Sequence, residues 1–286
     1  MQRPGNESTN AERPVLKTIL KLLLDPYPLR TITISLMRRL RLGSYPLRAR
    51  IGAVPRPAYG YCVHHAAVLG RELGYHRISV LELGVGDGSG LADLEYHAEQ
   101  ASKSLGIEID VYGFDTGEGL PEPIGYRDLP YYWQVGFYKM DVPKLRQKLK
   151  RATLVLGDMR DTARSFFRVH EPAPIGAVMF DLDFYSSTAA ALQMFDADEK
   201  YRLPRVYCFF DDVIGSEVQL FNDYTGERLA INEYNQTHDY KKICVAYYLV
   251  CRKVVQSWYN GVFILHDFKH SRYSQFVGGK TQELPL

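Results

Sequence analysis

The chain is poor in cysteine and has no long apolar run. Its 286 residues include 4 cysteines, and three of these, Cys208, Cys244 and Cys251, stand in apolar, strand-like segments. They lack the paired spacing of metal sites, which favours buried thiols in a reducing compartment. No segment approaches the roughly 20 apolar residues of a membrane span, and no signal-peptide pattern is visible. We therefore expect a cytoplasmic protein without a transmembrane segment.

The chain also lacks a strong charge of either sign. Its formal net charge is +2, so no global field favours nucleic acid as a partner. The composition is that of an ordinary globular protein, long enough to bury a core without disulfides or structural metals. Tyrosine, in contrast, is plentiful, with 21 residues. Amphipathic rings that carry a hydroxyl suit polyhydroxylated ligands, although many will pack in the core.

The amino-terminal region predicts an extension of the main domain. Residues 1–13 are polar, which indicates disorder. Residues 15–42 read as one or two amphipathic helices with a break at Pro26 and Pro28. Their apolar face is flanked by basic residues. Docking on a membrane surface is one interpretation; packing on the domain or on a second copy is favoured. We expect an extension over residues 1–57, a main domain over 58–286, and homo-oligomerisation through these helices.

Strand-like runs alternate with helical patterns over most of the chain. Five strands are predicted at residues 78–84, 109–115, 152–158, 175–183 and 205–212, and helices between them at 91–105, 143–150, 162–170 and 187–200. Such β–α repeats are typical of a parallel sheet covered by helices. A helix at 228–237 is followed by two late strands, 241–251 and 258–267. Their connector is short and has no helix, so this pair must be an antiparallel hairpin.

These elements predict the fold class. It is α/β, with a doubly wound, seven-stranded, mostly parallel sheet and a terminal antiparallel hairpin. This layout resembles the Rossmann-like fold of class I S-adenosylmethionine-dependent methyltransferases.

A glycine-rich turn follows the first predicted strand. The segment ISVLELGVGDGSG, residues 78–90, places glycines at Gly84, Gly86, Gly88 and Gly90. Glycine adopts positive φ and lets a backbone approach a ligand closely. A strand that breaks into such a turn before a helix is how doubly wound sheets bind nucleotide-like ligands. A plain strand-to-helix turn would not require four glycines in seven residues.

Acidic residues at the strand ends indicate the kind of ligand. Glu82 lies in the first strand, Asp115 ends the second and Asp158 follows the third. An acid after the second strand can accept both ribose hydroxyls, and one after the third can accept from an adenine amino group. The dehydrogenase pattern G-x-G-x-x-G is broken, because its third glycine is missing. Acid-rich turns suit a ligand that carries an ammonium and a sulfonium instead of a pyrophosphate, which describes S-adenosylmethionine.

A second acidic cluster follows strands four and five. Asp181 and Asp183 close the fourth strand, and Asp211 and Asp212 close the fifth. Four carboxylates at one sheet edge raise each other's pKa unless a cation offsets them. Oxygen ligands without cysteine or histidine favour Mg²⁺, with Mn²⁺ or Ca²⁺ also possible. The alternative is that these acids cap helices or pair with Arg160, Arg164 or Arg205.

The spacing of Asp181 and Asp183 places them on one side of an extended strand. One can then bind metal while the other takes a proton. Asp183 would remove the proton from a metal-bound hydroxyl, whose oxygen attacks the methyl group.

Four motifs together resemble the macrocin-type sugar O-methyltransferases. The segment FDTGEGLP, residues 114–121, is similar to their D-S-F-x-G-L-P, and GDMRDT, residues 157–162, resembles G-x-x-x-D-T. The segment DLDFYSST, residues 181–188, resembles D-G-D-L-Y-x-S-T, and the pair at 211–212 resembles V-D-D. The resemblance covers about residues 59–216. It implies Mg²⁺ held by Asp181, Asp211 and Asp212, with Asp183 as the base and a sugar hydroxyl as the acceptor.

Other parts of the chain depart from that family and leave alternatives open. The aromatic segment YRDLPYYWQVGFYKM, residues 126–140, has no counterpart and predicts a lid over the site. Its rings can also stack on an aromatic acceptor, which gives a second hypothesis, a catechol or phenol acceptor. A late histidine, His238, His266 or His270, is an alternative base. A non-catalytic binding protein that keeps the fold is a third hypothesis.

Overall fold

The computed structural model describes residues 28–252 and 256–278. The tail at 1–13 and the helical pattern at 15–27 lie outside these ranges. Nine helices and seven strands are described, apart from short 3-10 turns. The helices are α1 (Pro28–Leu40), α2 (Tyr45–Ile51), α3 (Pro57–Glu72), α4 (Ser89–Leu105), α5 (Val142–Lys148), α6 (Met159–His170), α7 (Tyr185–Leu192), α8 (Gly226–Thr237) and α9 (Tyr247–Val250). The strands are β1 (Arg77–Leu83), β2 (Glu108–Asp115), β3 (Thr153–Leu156), β4 (Ile175–Phe180), β5 (Arg202–Phe210), β6 (Lys241–Val245) and β7 (Val262–Asp267).

The strands form one sheet in the order β3-β2-β1-β4-β5-β7-β6. The first five strands are parallel, and β7 pairs antiparallel with both β5 and β6. The predicted fold class is therefore confirmed, including the antiparallel pair at the end. The strand order reverses between β1 and β4, and the carboxyl ends of strands at such a point form a crevice for ligands.

The core has one layer on each face of the sheet. Alternate residues of β1 point to opposite faces, so Ile78 and Val80 pack with α3 and α4, whereas Leu81 and Leu83 pack with α6, α7 and α8. All residues of β1 after Arg77 are buried, as expected for a central strand that helices cover on both faces. None of the described helices is long and apolar enough to cross a membrane.

Several predicted boundaries are wrong. The late strand at 241–251 ends at Val245, and a short helix, Tyr247–Val250, stands where no helix was predicted. The predicted helix at 187–200 stops at Leu192 and continues as two 3-10 turns. The region before α3 also contains a helix, Tyr45–Ile51, with proline in its first turn and Gly52 at φ 79° after its end. Tertiary packing overrides weak local signals at these positions.

Candidate active site

A cavity of about 580 Å³ opens at the carboxyl edge of the sheet. Of the ten predicted site residues, nine line it: Glu82, Gly84, Gly86, Asp115, Asp158, Asp181, Asp183, Asp211 and Asp212. They come from five different strand ends, which the parallel topology brings together. Gly88 is the exception. A Cβ there would lie 2.1 Å from the Leu145 side chain, so this glycine permits packing against α5.

Different structural requirements explain why each position of the turn is a glycine. Gly84 has φ +86°, and a Cβ on it would lie 1.7 Å from the backbone oxygen of Asp181. It therefore allows the ends of β1 and β4 to meet at the base of the cavity. Gly86 has φ +52°, and the nearest atom to its Cβ position is the Tyr138 Cβ, 4.0 Å away. Gly86 is thus the glycine whose open side faces the cavity, as close approach of a ligand requires.

Asp115 fastens the glycine turn to the end of β2. One carboxylate oxygen accepts from the amides of Val85 and Gly86, both at 2.9 Å, and the other accepts from Gly117 at 2.7 Å. Each carboxylate oxygen has two acceptor directions, so the group can still accept a ligand hydroxyl. The residue therefore shapes the turn as well as lining the cavity.

Glu82 is buried beneath the turn and is only half satisfied. Its Oε1 accepts from the Tyr59 hydroxyl at 2.8 Å, whereas its Oε2 is buried without a hydrogen-bond partner among the described residues. Burial raises the pKa of Glu82 well above its usual range. A buried carboxylate oxygen without a partner costs free energy unless a ligand donor or a cation reaches it.

Arg56 is the cation beside these acids, and no motif in the sequence signals it. The residue stands just before α3 with φ 34°, and its guanidinium donates to the Ser89 hydroxyl at 2.9 Å. It also pairs with Asp93 at 3.5 Å and lies over the Tyr59 ring. Its positive charge opposes the rise in the pKa of Glu82. The patterns at the strand ends could not identify it, because it stands one residue before α3 and follows no strand.

The second acidic cluster forms the opposite wall of the cavity. Asp183 and Asp212 are each 7% exposed, and the Asp183 amide donates to the Asp212 carboxylate at 3.1 Å. Burial, followed by the charge of Asp211, raises the pKa of Asp181 to about 7. Burial and the neighbouring acids raise the pKa of Asp183 and of Asp212 well above the usual range. The four acids therefore repel each other as expected from their positions.

The strand geometry predicted for Asp181 and Asp183 is wrong. The fourth strand ends at Phe180, so neither residue lies on an extended strand. Asp183 instead has φ +60°, a left-handed conformation that aspartate tolerates better than most residues. Backbone strain of this kind is concentrated at functional sites. The turn, and not strand alternation, brings both carboxylates to the cavity.

A fifth buried carboxylate joins this cluster. Glu227, in the first turn of α8, is fully buried, and its Oε2 accepts from the Asp212 amide at 3.0 Å. Its Oε1 has no partner within the described part of the chain, and burial raises its pKa well above the usual range. Its sequence position does not reveal this role, because Glu227 lies 15 residues beyond Asp212, after a loop. Only the packing of α8 against the end of β5 brings the two together.

The second acidic cluster forms no salt bridge with Arg160, Arg164 or Arg205, the partners that the sequence left open, in the described part of the chain. Among the described residues, Arg160 pairs with Asp158 at 2.5 Å and no salt bridge joins an arginine to Asp181, Asp183, Asp211 or Asp212. The donor chemistry fits a hard cation. The present side-chain positions do not form a complete cation site, because no three Asp, Glu, His or Cys side chains of the described ranges are placed to hold a metal ion.

The aromatic segment forms a wall of the cavity. Trp133 and Tyr138 line it, and Trp133 packs with Phe184. Asp128 holds the segment in place, since its buried carboxylate accepts from the amide and hydroxyl of Ser186, at 2.8 and 2.9 Å. The segment thus lies beside the acids, while its action as a lid stays a prediction.

The late histidines lie away from the cavity. His266 of β7 lies opposite Arg205 of β5 in the sheet. Arg205 is toward the amino-terminal end of β5, far from the acids at the carboxyl end of that strand. His270 contacts the backbone oxygen of Arg202, and His238 contacts Asp196. No histidine lines the cavity within the described ranges. Asp183 is therefore better placed than the histidines to act as the base.

Comparison with known proteins places the fold. No protein-family model matches the sequence, and no curated protein matches it either. Among solved structures, the calicheamicin methyltransferase CalS11 has a TM-score of 0.51 at 19% identity, over 93% of this chain and 98% of that chain. The O-methyltransferase NovP has a TM-score of 0.49 at 16% identity, over 73% of this chain and 77% of that chain. At such identity the likeness to CalS11 establishes the fold alone. The chain has the Rossmann-like fold of class I methyltransferases.

Proposed function

We propose that the protein is an S-adenosylmethionine-dependent O-methyltransferase that acts on a hydroxyl of a sugar, glycoside or similar polyol. One observation carries this proposal. The glycine turn, together with Glu82 and Asp115, lines the same cavity as the acids of the second cluster. The shared fold with a methyltransferase supports it. The motif resemblance at residues 114–121, 157–162 and 181–188 supports the sugar acceptor.

The residues of the glycine turn and of the first three strand ends fit the proposed cofactor. Glu82 Oε2 is buried without a partner in the described chain, which suits the ammonium of the methionine part. Asp115 suits the ribose hydroxyls, and Gly86 leaves the space that the ligand needs. Asp158 caps α6 and is paired with Arg160, so an adenine amino group would share that carboxylate. When bound, S-adenosylmethionine supplies an electrophilic methyl group and leaves as S-adenosylhomocysteine.

Asp183 is proposed as the general base. The acceptor hydroxyl gives its proton to the Asp183 carboxylate while its oxygen forms the bond to the methyl carbon. Asp183 is held for this by its backbone, because its amide donates to Asp212. The Asp212 amide donates in turn to Glu227. Holding acceptor and base in a fixed geometry supplies much of the rate.

We further propose that Mg²⁺, held by Asp181, Asp211 and Asp212, offsets the charge of the cluster. The folded pKa of Asp181 is about 7, above the ordinary value of 3.8. The folded chain thus holds that proton more tightly than the unfolded chain does. The contribution of Asp181 to the stability of the metal-free protein should fall as the pH rises from about 4 and should be lost by about pH 8, and the acids with more strongly raised pKa values should extend the loss to higher pH.

Magnesium should therefore raise the melting temperature at about pH 8 by several degrees, and much less at about pH 5. Asp211→Asn should remove most of this shift, whereas the exposed Asp239→Asn should retain it. EDTA should also stop methyl transfer by the wild-type protein. An equal shift in Asp211→Asn, or full turnover in EDTA, contradicts the metal proposal. Scanning calorimetry and a methyl-transfer assay provide the two readouts.

Arg56 is proposed to bind the carboxylate of the methionine part. It lines the cavity, it is about 39% exposed, and its charge acts on both Glu82 and Asp181. Arg56→Gln should weaken S-adenosylhomocysteine binding by at least about tenfold, since a charge-assisted hydrogen bond contributes about 1.5–3 kcal/mol. Binding of 5′-methylthioadenosine, which lacks the amino-acid part, should not change.

Titration calorimetry with the two ligands measures this difference. Arg71→Gln removes an exposed arginine that pairs with Glu72 on α3, and it should alter neither affinity. If Arg56→Gln weakens both ligands equally, the residue supports the cavity without recognising the carboxylate.

A catechol or phenol acceptor is the second candidate, and the aromatic wall favours it. Trp133 and Tyr138 offer surfaces on which a ring can stack. Comparing methyl transfer to a panel of catechols and glycosides separates the two. Transfer to catechols alone contradicts the sugar proposal.

Assembly through the amino-terminal helices is also a proposal. On α1, Ile32, Leu36 and Leu40 are spaced four apart and are 49–63% exposed. A second copy packing on this face would bury them. Sedimentation should show a dimer or larger species for the wild type, and Leu36→Lys should shift it to monomer. A monomeric wild type contradicts this proposal.

A further inference from the structure

Tyr138, in the aromatic segment, has an unusual backbone conformation beside the glycine turn. Its φ of +62° lies in the left-handed region, which is disfavoured for a residue that carries a Cβ. Such strain persists only where the surrounding structure holds it. The residue lines the cavity, and its Cβ lies 4.0 Å from the position that a Cβ on Gly86 would take. Tyr138 therefore stands over Gly86, the glycine whose open side faces the cavity.

Backbone contacts just before Tyr138 fix its position. The Leu120 amide donates to the Phe137 oxygen, and the Gly136 amide donates to the Leu120 oxygen, both at 2.8 Å. A Cβ on Gly119 would lie 2.5 Å from the Phe137 oxygen, so a side chain there would prevent this close approach. The aromatic segment is thus joined to the loop that follows β2, and this junction directs Tyr138 toward the glycine turn.

The Tyr138 ring lies between the two groups of residues that the proposed reaction needs. On one side is the glycine turn, where the Gly86 amide is bound to Asp115. On the other side are the acids of the second cluster. Partial burial, followed by the charge of Asp183, raises the pKa of Tyr138, so the phenol stays uncharged at neutral pH. The ring packs edge to face on Trp133, with the centroids 6.0 Å apart.

The positive charge of S-adenosylmethionine would lie beside this ring. The sulfonium joins the methionine part, for which Glu82 and Arg56 are proposed, to the ribose, for which Asp115 is proposed. It must therefore lie along the glycine turn between these ends, with its methyl group toward Asp183. Tyr138 is close to both, because it stands over the turn and within the field of Asp183. The face of an aromatic ring carries partial negative charge and attracts a cation.

We propose that the ring of Tyr138 recognises the sulfonium of S-adenosylmethionine by a cation–π contact and so distinguishes the methyl donor from its product. S-Adenosylhomocysteine has a neutral thioether in place of the sulfonium, so this attraction is lost once the methyl group has been transferred. The loss favours release of the product. This inference rests on the proposed function and assigns a further residue to the same site.

Titration calorimetry without an acceptor measures the affinities for the two ligands, and their ratio reports the contact. Tyr138→Leu should lower the affinity for S-adenosylmethionine relative to that for S-adenosylhomocysteine by at least about threefold, as expected for a partly exposed cation–π contact. Tyr138→Phe keeps the ring and should hold the ratio within about twofold of the wild-type value. Tyr126→Leu removes an exposed tyrosine of the same segment that does not line the cavity, and it should leave the ratio unchanged.

A ring of altered charge distribution tests the same contact without a loss of volume. Pentafluorophenylalanine at position 138 has nearly the shape of phenylalanine, but its fluorines reverse the partial charge of the ring face. It should lower the affinity for S-adenosylmethionine by at least about threefold and leave S-adenosylhomocysteine binding unchanged. Because the ring is retained, this variant should fold even if Tyr138→Leu does not.

The inference is overturned if the fluorinated ring leaves the ratio unchanged, or if Tyr138→Leu weakens both ligands equally or neither. It is also overturned if Tyr138→Phe lowers the ratio as much as Tyr138→Leu, because the hydroxyl would then make the contact. Failure of the wild type to bind S-adenosylhomocysteine would instead contradict the proposed function itself.

Discussion

Asp183→Asn should lower the rate of methyl transfer by at least about a hundredfold while leaving the affinity for S-adenosylhomocysteine within about twofold. A positioned general base contributes roughly 10²–10⁴-fold to a rate, and an amide cannot accept the proton. Asparagine keeps the shape of the side chain and also tolerates the left-handed backbone, here φ +60°. The rate and the binding should therefore separate, as measured by single-turnover transfer and by calorimetry.

A matched control distinguishes this effect from a general loss of negative charge. Asp110→Asn removes a carboxylate that pairs with Arg77 near the amino-terminal end of β2. It should transfer methyl groups at the wild-type rate. If Asp183→Asn retains more than a tenth of the wild-type rate, another group takes the proton.

Gly84→Ala should destabilise the protein by more than about 3 kcal/mol or prevent folding, an effect of a size that is rare and comes from steric overlap or strain. The new Cβ would lie 1.7 Å from the Asp181 backbone oxygen, and the backbone on both sides of the contact is fixed by the sheet. The Gly84 amide donates to the Phe114 backbone oxygen at 2.8 Å, and the Asp181 amide donates to that of Leu83 at 2.9 Å. Neither strand end can move without breaking these hydrogen bonds.

Gly74→Ala isolates the part of this effect that comes from backbone conformation. Gly74 has φ +81°, close to that of Gly84, but a Cβ there would have no atom within 4 Å. Its loss should be about 1–2 kcal/mol, the cost of a left-handed non-glycine residue. Urea denaturation of both variants measures the two values. Equal losses would mean that the close approach of β1 and β4 at Gly84 is not what requires glycine.

Local sequence patterns were sufficient for the sheet and for most of the acids that line the cavity. Alternating strands and helices predict a parallel sheet, and parallel strands bring their carboxyl ends to one edge whatever the details of packing. Residues at strand ends, such as Asp115 and Asp211, could be placed for that reason. Short elements were missed where packing decides, as at α9 (Tyr247–Val250), whose four residues continue an apolar run that was interpreted as strand.

Residues that reach the site from elsewhere could not be found in this way. Arg56 precedes a helix that contributes no cavity-lining residue, and Glu227 reaches the acids only through the docking of α8. Neither carries a local motif. Gly88 is the opposite case, a residue that the sequence pattern assigned to the site but that does not line it. The pattern cannot distinguish a glycine that faces a ligand from one that faces Leu145. In these cases the surroundings of the side chain depend on tertiary packing and cannot be predicted from the local sequence.

Titration of the purified protein with S-adenosylhomocysteine, in the presence of Mg²⁺, tests most directly whether this cavity serves methyl transfer. We expect saturable binding at a single site on each chain, and weaker binding in Arg56→Gln. Absence of binding heat, together with an unchanged melting temperature at saturating ligand, would contradict a methyltransferase function for the cavity.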